Sequence, residues 1–302
     1  MTSVSDALGE GVERLRAAGS GSARLDAELL LAHAVGADRT TILAHPEAAV
    51  GPGQQEVYER ALERRAAGEP VAYIRGVKEF YGLAFSVDPR ALIPRPETER
   101  LVELALGRIV ELLTDRPRPA GTPRVRVLDV GTGSGAVAVT LAVVLRRRGL
   151  AEAVTLAASD RSAEALSLAL ENAVAHGVSD MVEFRMADLL DDDLLAAGPF
   201  ELVTGNLPYI PTSVLRQLPA AAGFEPRDAL DGGPDGLSLV RRLLGRLPMA
   251  LAGRGAALLE IGSDQAEAVR DAAARALPGW ILTIHPDLAG DPRVAELRQP
   301  SA

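Results

Sequence analysis

The chain has 302 residues, 47% hydrophobic and 24% charged, with a formal net charge of −9 and no cysteine. Its size allows one large or two modest cores. The missing thiols exclude disulfides, thiolate metal sites and a cysteine nucleophile, and the acidic balance opposes long-range attraction to nucleic acid, so no direct nucleic-acid partner is expected. No run reaches the ~18 apolar residues of a membrane helix, and the start Met1-Thr2-Ser3-Val4-Ser5-Asp6 has no basic segment followed by an apolar one. A cytoplasmic protein without membrane contact is expected. His33, His45, His176 and His285 are scattered without ligand spacing, and no metal is expected.

Up to about Gly68 the chain is rich in Ala, Leu, Glu and Arg, with apolar positions such as Leu25, Leu29, Leu30 and Ala32 through Val35 at helical spacing. Breaks at Gly19–Ser22, Gly36–Asp38 and Pro46–Gly53 divide it into about four short helices. No chemistry-bearing cluster falls there, so a recognition or scaffold module is expected over residues 1–69. Over residues 70–95, Val71–Gly76 and Phe80–Val87 carry alternating apolar residues and turn glycines that suggest a hairpin linker. Pro96, followed by Glu97 and Glu99, marks a helix start by proline placement and dipole matching, and that helix should run to about Leu113. Asp115–Pro123, with three prolines, reads as a linker.

The remainder of residues 96–302 alternates apolar strands with amphipathic helices, the pattern of a mainly parallel sheet covered on both faces. Strands are expected near Val125–Val130, Ala153–Ala158, Val182–Arg185, Phe200–Thr204 and Ala256–Ile261. Helices are expected near Gly135–Arg148, Ala163–His176, Leu237–Leu251 and Gln265–Ala276, and Trp280–His285 with Arg293–Leu297 can close the chain as a strand pair. Arg146-Arg147-Arg148 reads as a solvated helix end rather than a nucleic-acid patch.

Candidate chemistry gathers at the carboxyl ends of successive strands, where ligands bind in open α/β sheets. Asp129 leads into the turn Gly131-Thr132-Gly133-Ser134-Gly135, where missing Cβ atoms admit a ligand to the backbone and the following helix start can hold a negative group. The two-then-two glycine spacing departs from Gly-x-Gly-x-x-Gly. Asp129 could accept from an ammonium, Asp160 from two ribose hydroxyls, and Asp188 from an exocyclic amine. A single Asp at a strand end is more often a helix cap; three in succession, the first beside a glycine turn, are harder to explain that way. At the fourth strand end stands Asn206-Leu207-Pro208-Tyr209. The Asn206 amide oxygen and the Leu207 carbonyl could grip an NH2 group while Tyr209 stacks on its plane. Alone, the same residues also fit an Asn-Pro turn with a tyrosine at the core edge.

The ordered set resembles the class I S-adenosylmethionine-dependent methyltransferases, with a Rossmann-like, mainly parallel seven-stranded sheet. Together with Leu92-Ile93-Pro94-Arg95-Pro96-Glu97-Thr98-Glu99, Phe224-Glu225-Pro226, Ala229 through Leu237 and Asp287 through Val294, it is similar to the release-factor glutamine N5-methyltransferases of the PrmC/HemK type over nearly the whole chain. The resemblance implies that Gly131–Gly135 wraps the methionine part of S-adenosylmethionine, that Asp160 holds the ribose, and that Asp188 with Leu189 flanks the adenine. Asn206 contacts both cofactor and acceptor. Asn206, Leu207, Pro208 and Tyr209 form the catalytic box, and Arg95, Pro96 and Glu225 join it in binding substrate. The implied acceptor is the glutamine of a Gly-Gly-Gln tripeptide in a peptide-chain release factor, the by-product S-adenosylhomocysteine, and the enzyme a monomer. Leu207 departs from the family's proline; it should loosen the turn and add a branched side chain beside the acceptor pocket. Asn-Leu-Pro-Tyr also occurs in ribosomal RNA adenine dimethyltransferases, which leaves an RNA amine, or a small molecule, as alternative acceptors.

Overall fold

The structure, a computed structural model, describes residues 2–114 and 125–300. The linker expected over Asp115–Pro123 lies outside them. Contacts group the chain into two compact units, Met1–Val77 with Leu218–Phe224, and Lys78–Gln217 with Glu225–Ala302.

In the first unit the helices Val4–Ala17, Ala23–Val35, Arg39–Ala44 and Pro52–Ala66 form the expected four. Ser3 starts the first of them by accepting from the Asp6 amide at 3.1 Å, one half of a capping box. Ala7, Leu15, Leu30, Leu31, Tyr58 and Leu62 make the core, whereas Leu25 stands 44% exposed. Asp26 is buried yet fully partnered, accepting from Ser20, Ser22 and Arg65. Val71–Arg75, expected as the first strand of a hairpin, is instead a fifth helix: Ile74 packs into the bundle core, and Gly76 ends the turn at φ +70°. Tertiary packing overrides a short alternating pattern that fits either element.

The hairpin comes later, as Val77–Phe80 and Leu83–Ser86. Tyr81 and Gly82 both have positive φ, as a two-residue turn matching strand twist requires. Tyr81 is held there by a 2.8 Å bond from its amide to Glu99. Pro96–Thr98 is one turn of 3-10 helix running into the helix Glu99–Thr114.

The second unit is built on seven strands: β1 Val125–Val130, β2 Val154–Asp160, β3 Val182–Met186, β4 Phe200–Gly205, β5 Leu251–Glu260, β6 Ile281–Pro286 and β7 Pro292–Arg298. Their order is β6-β7-β5-β4-β1-β2-β3. All neighbours are parallel except β7, which runs antiparallel to both β5 and β6. The expected sheet and terminal strand pair are therefore present. The chain order reverses between β1 and β4, which makes this the switch point where a ligand crevice opens. Helix Ala136–Arg147 is apolar nearly all round and buried from Ala136 to Val143, consistent with packing on several sides. At its end Arg146 pairs with Asp180 at 2.7 Å, as a solvated terminus would. A short helix, Asp192–Ala197, was not expected; Asp191 caps it by accepting from the Leu194 amide at 3.0 Å.

Candidate active site

Where β1 ends, Asp129 is 3% exposed, and both its carboxylate oxygens accept hydroxyls at 2.7 Å, from Thr132 and from Thr204. Burial pushes its carboxyl up to about 6, against the opposing pull of these hydroxyls; the nearby Asp160 adds to the rise. Thr204 escaped sequence reasoning because a threonine inside an apolar strand carries no signature. Beyond Asp129, Gly131, Gly133 and Gly135 all have positive φ. A Cβ at Gly131 would meet Leu207 Cδ2 at 3.1 Å, so the glycine is required by backbone conformation and packing together.

Asp160 ties β2 to this loop. One oxygen accepts from the Gly133 amide and the other from the Ser162 amide, both at 2.9 Å. Each keeps a free lone pair for a further donor. Buried Asn172, also missed, bonds Ser86 and the Ser134 carbonyl, joining hairpin to glycine loop. Asp188 lies at an exposed rim and pairs with Arg242 at 2.6 Å. Leu189 holds φ +58°, an uncommon conformation for a branched residue and a local strain beside the cavity.

Asn206 follows β4 directly, and its Nδ2 donates to Thr98 Oγ1 at 3.0 Å. Among the described residues, Asn206 Oδ1 has no donor. Leu207 is 3% exposed and belongs to the core with Leu128, Val203 and Leu259, its side chain packed against Gly131 at the cavity wall. Gln265 donates to the Tyr209 carbonyl at 2.9 Å. Asp231–Leu237 folds back on the box: the Gly232 amide donates to the Ile210 carbonyl at 2.9 Å, and a Cβ at Gly236 would stand 2.3 Å from the Tyr209 carbonyl. Burial raises the Tyr209 phenol above its ordinary range.

A cavity of about 500 Å³ joins these ends. Of the expected site residues, Arg95, Asp129, Gly131, Thr132, Gly133, Ser134, Asp160, Asp188, Leu189, Asn206, Leu207 and Pro208 line it. Gly135, Pro96, Tyr209 and Glu225 do not. Gly135 instead lets the helix start approach Ala169, since its Cβ would meet that residue at 3.1 Å. Glu225 is buried and turned to protein partners, accepting from Arg95 at 2.5 Å and from the Ile93 amide at 3.1 Å. The pair fixes the Ile93–Arg95 wall of the cavity.

A seven-stranded sheet of this order, with glycine loop, acidic strand ends and cavity at its switch point, has the class I methyltransferase fold. The family model "Methyltransferase domain" matches residues 122–232 and "PrmC N-terminal domain" residues 6–76. The release factor glutamine methyltransferase of Moorella thermoacetica is 41% identical over 95% of each chain, and that of Koribacter versatilis 38% identical over 99% of each. The chain belongs to the release factor glutamine methyltransferase family. Among solved structures, the hMettl16 catalytic domain bound to a MAT2A 3′UTR hairpin matches with TM-score 0.54 at 15% identity, over 73% of this chain and 77% of that one, a likeness of fold alone.

Proposed function

We propose that the protein transfers a methyl group from S-adenosylmethionine to the side-chain amide nitrogen of a glutamine in a peptide-chain release factor, acting in the cytoplasm. The observation that carries this reading is Asn206 at the end of β4. Its amide is anchored through Nδ2 on Thr98, leaving Oδ1 as an acceptor beside a cavity large enough for a cofactor. The residues present fit that cofactor. The glycine loop exposes backbone where side chains would obstruct, Asp160 retains acceptor capacity for ribose hydroxyls, and Asp188 with Leu189 borders the space for the adenine.

When bound, S-adenosylmethionine supplies an electrophilic methyl group on a sulfonium and is released as S-adenosylhomocysteine, and the methylated nitrogen gives up one proton to solvent during or after the transfer. The protein's own task is orientation. An amide nitrogen is a poor nucleophile because its lone pair is delocalised into the carbonyl. Asn206 Oδ1 and the Leu207 carbonyl, each accepting one N–H of the substrate NH2, would localise density on nitrogen and aim it. Fixing the two reactants in line is worth several kcal/mol of barrier. Tyr209, whose backbone is braced by Gln265 and the Gly236 turn, closes the box from outside the cavity lining. Arg95, held by Glu225, shapes the approach, and the helical unit is assigned to grasp the release factor. Asn206→Ala is expected to abolish methylation of purified release factor while calorimetry still shows cofactor binding. Undiminished turnover, or labelling of bare ribosomal RNA in place of the factor, would overturn the assignment.

A further inference from the structure

Glu260 ends β5 as the one acid in the run Ala256-Ala257-Leu258-Leu259-Glu260-Ile261. The parallel register pairs Gly205 with Leu259, so Glu260, the last residue of β5, comes level with Asn206, the first residue beyond β4. On its other side it is paired with Val294 of β7. It is 1% exposed, and neither carboxylate oxygen has a partner of ordinary hydrogen-bond geometry. A buried carboxylate left in that condition is costly and calls for a reason. Its neighbours are the Thr98 hydroxyl, the Asn206 amide, Arg293 on β7, Glu97 in the same turn as Thr98, and Tyr209. Thr98 and Asn206 are already joined at 3.0 Å.

We propose that Glu260 is a positioning residue for the acceptor, setting the orientation of the Asn206 amide through Thr98. A threonine hydroxyl has one proton to give and lone pairs to receive. A carboxylate can only accept, so beside Glu260 that proton is drawn to the carboxylate, and Thr98 meets Asn206 as an acceptor. Asn206 must then present its NH2 to Thr98 and its oxygen to the substrate. Without the carboxylate, Thr98 can donate to Asn206 Oδ1 instead. The amide then turns over, and the substrate NH2 meets a donor where it needs an acceptor. The inference rests on the acceptor role proposed for Asn206.

Burial pushes the Glu260 carboxyl up to about 7, opposed by Thr98, Arg293 and Asn206 and reinforced by Glu97. Protonated Glu260 can itself donate to Thr98, so the productive amide orientation should strengthen as pH rises through neutrality.

The test follows the Asn206 side-chain amide protons by nuclear magnetic resonance in the full chain, assigned by their loss in Asn206→Ala. In the unaltered protein they should shift as pH passes through neutrality. Thr98→Ser should preserve the response, and Glu260→Gln and Thr98→Val should remove it. A response unchanged in Glu260→Gln overturns the proposal. With release factor as substrate, Glu260→Gln and Thr98→Val should each lower kcat about tenfold with cofactor affinity unchanged, and the double variant should fall no further than the worse single. Losses that multiply in the double variant would contradict a shared pathway. If the unaltered protein methylates no release factor, the function proposed above fails, while the resonance measurement still decides the role of Glu260.

Discussion

The side chain of Leu207 enters the core. Its burial against Gly131, Val203 and Leu259 couples the acceptor box to the glycine loop by packing. The backbone carbonyl needed for the acceptor is untouched by this, because side chain and carbonyl leave the chain in different directions. Leu207→Ala should therefore destabilise the protein by about 2–4 kcal/mol in urea unfolding, from lost burial and the cavity left behind. A change near zero would mean that the side chain is not packed as described. Asp129 makes a related point about single residues: two threonine hydroxyls satisfy it, but burial still costs its charged form, so its carboxyl rises to about 6.

At the level of elements, the catalytic box is held by a segment far along the chain. Asp231–Leu237 closes over Pro208 and Tyr209, and Gly236 sits at φ +78° with no room for a Cβ. Gly236→Ala should displace the Tyr209 carbonyl and lower kcat/KM for release factor at least tenfold, with cofactor affinity nearly unchanged; retained kcat/KM would show that the brace is dispensable. The strands and glycine turn were legible in the sequence because buried parallel strands spell continuous apolar runs and their ends carry acids. Asp192–Ala197 was missed because one helical turn after an Asp cap is too short for periodicity to register. Val71–Arg75 was misread because its apolar alternation was decided by a distant core. Within the site, the strand-end residues could be read in order along the chain. Thr98, Thr204, Asn172 and Glu260 were not singled out, since their roles arise from contacts between strands and turns distant in sequence. An acid inside an apolar strand, as at Glu260, was the available signal.

For the molecule as a whole, two buried carboxylates have folded-state values above their ordinary ones, Asp129 at about 6 from 3.8 and Glu260 at about 7 from 4.5. Each binds its proton more tightly folded than unfolded. Their favourable contribution is thus fully present below about pH 4 and is lost as pH rises through 6 to 7. Surface carboxylates such as Asp88 and Asp235, held low by arginine partners, act in the opposite sense, so the buried group is isolated by comparison with a variant. Glu260→Gln keeps the shape of the protonated acid. Its stability relative to the unaltered protein should grow by an amount on the order of 3 kcal/mol between acid and mildly alkaline pH. A difference that stays constant with pH would show that Glu260 does not titrate as its burial implies.

The central claim concerns what enters beside Asn206. Purified protein, labelled S-adenosylmethionine and release factor should give label on the factor, and none when the glutamine of its Gly-Gly-Gln tripeptide is replaced. Equal labelling of both factors, or of neither, would contradict the account.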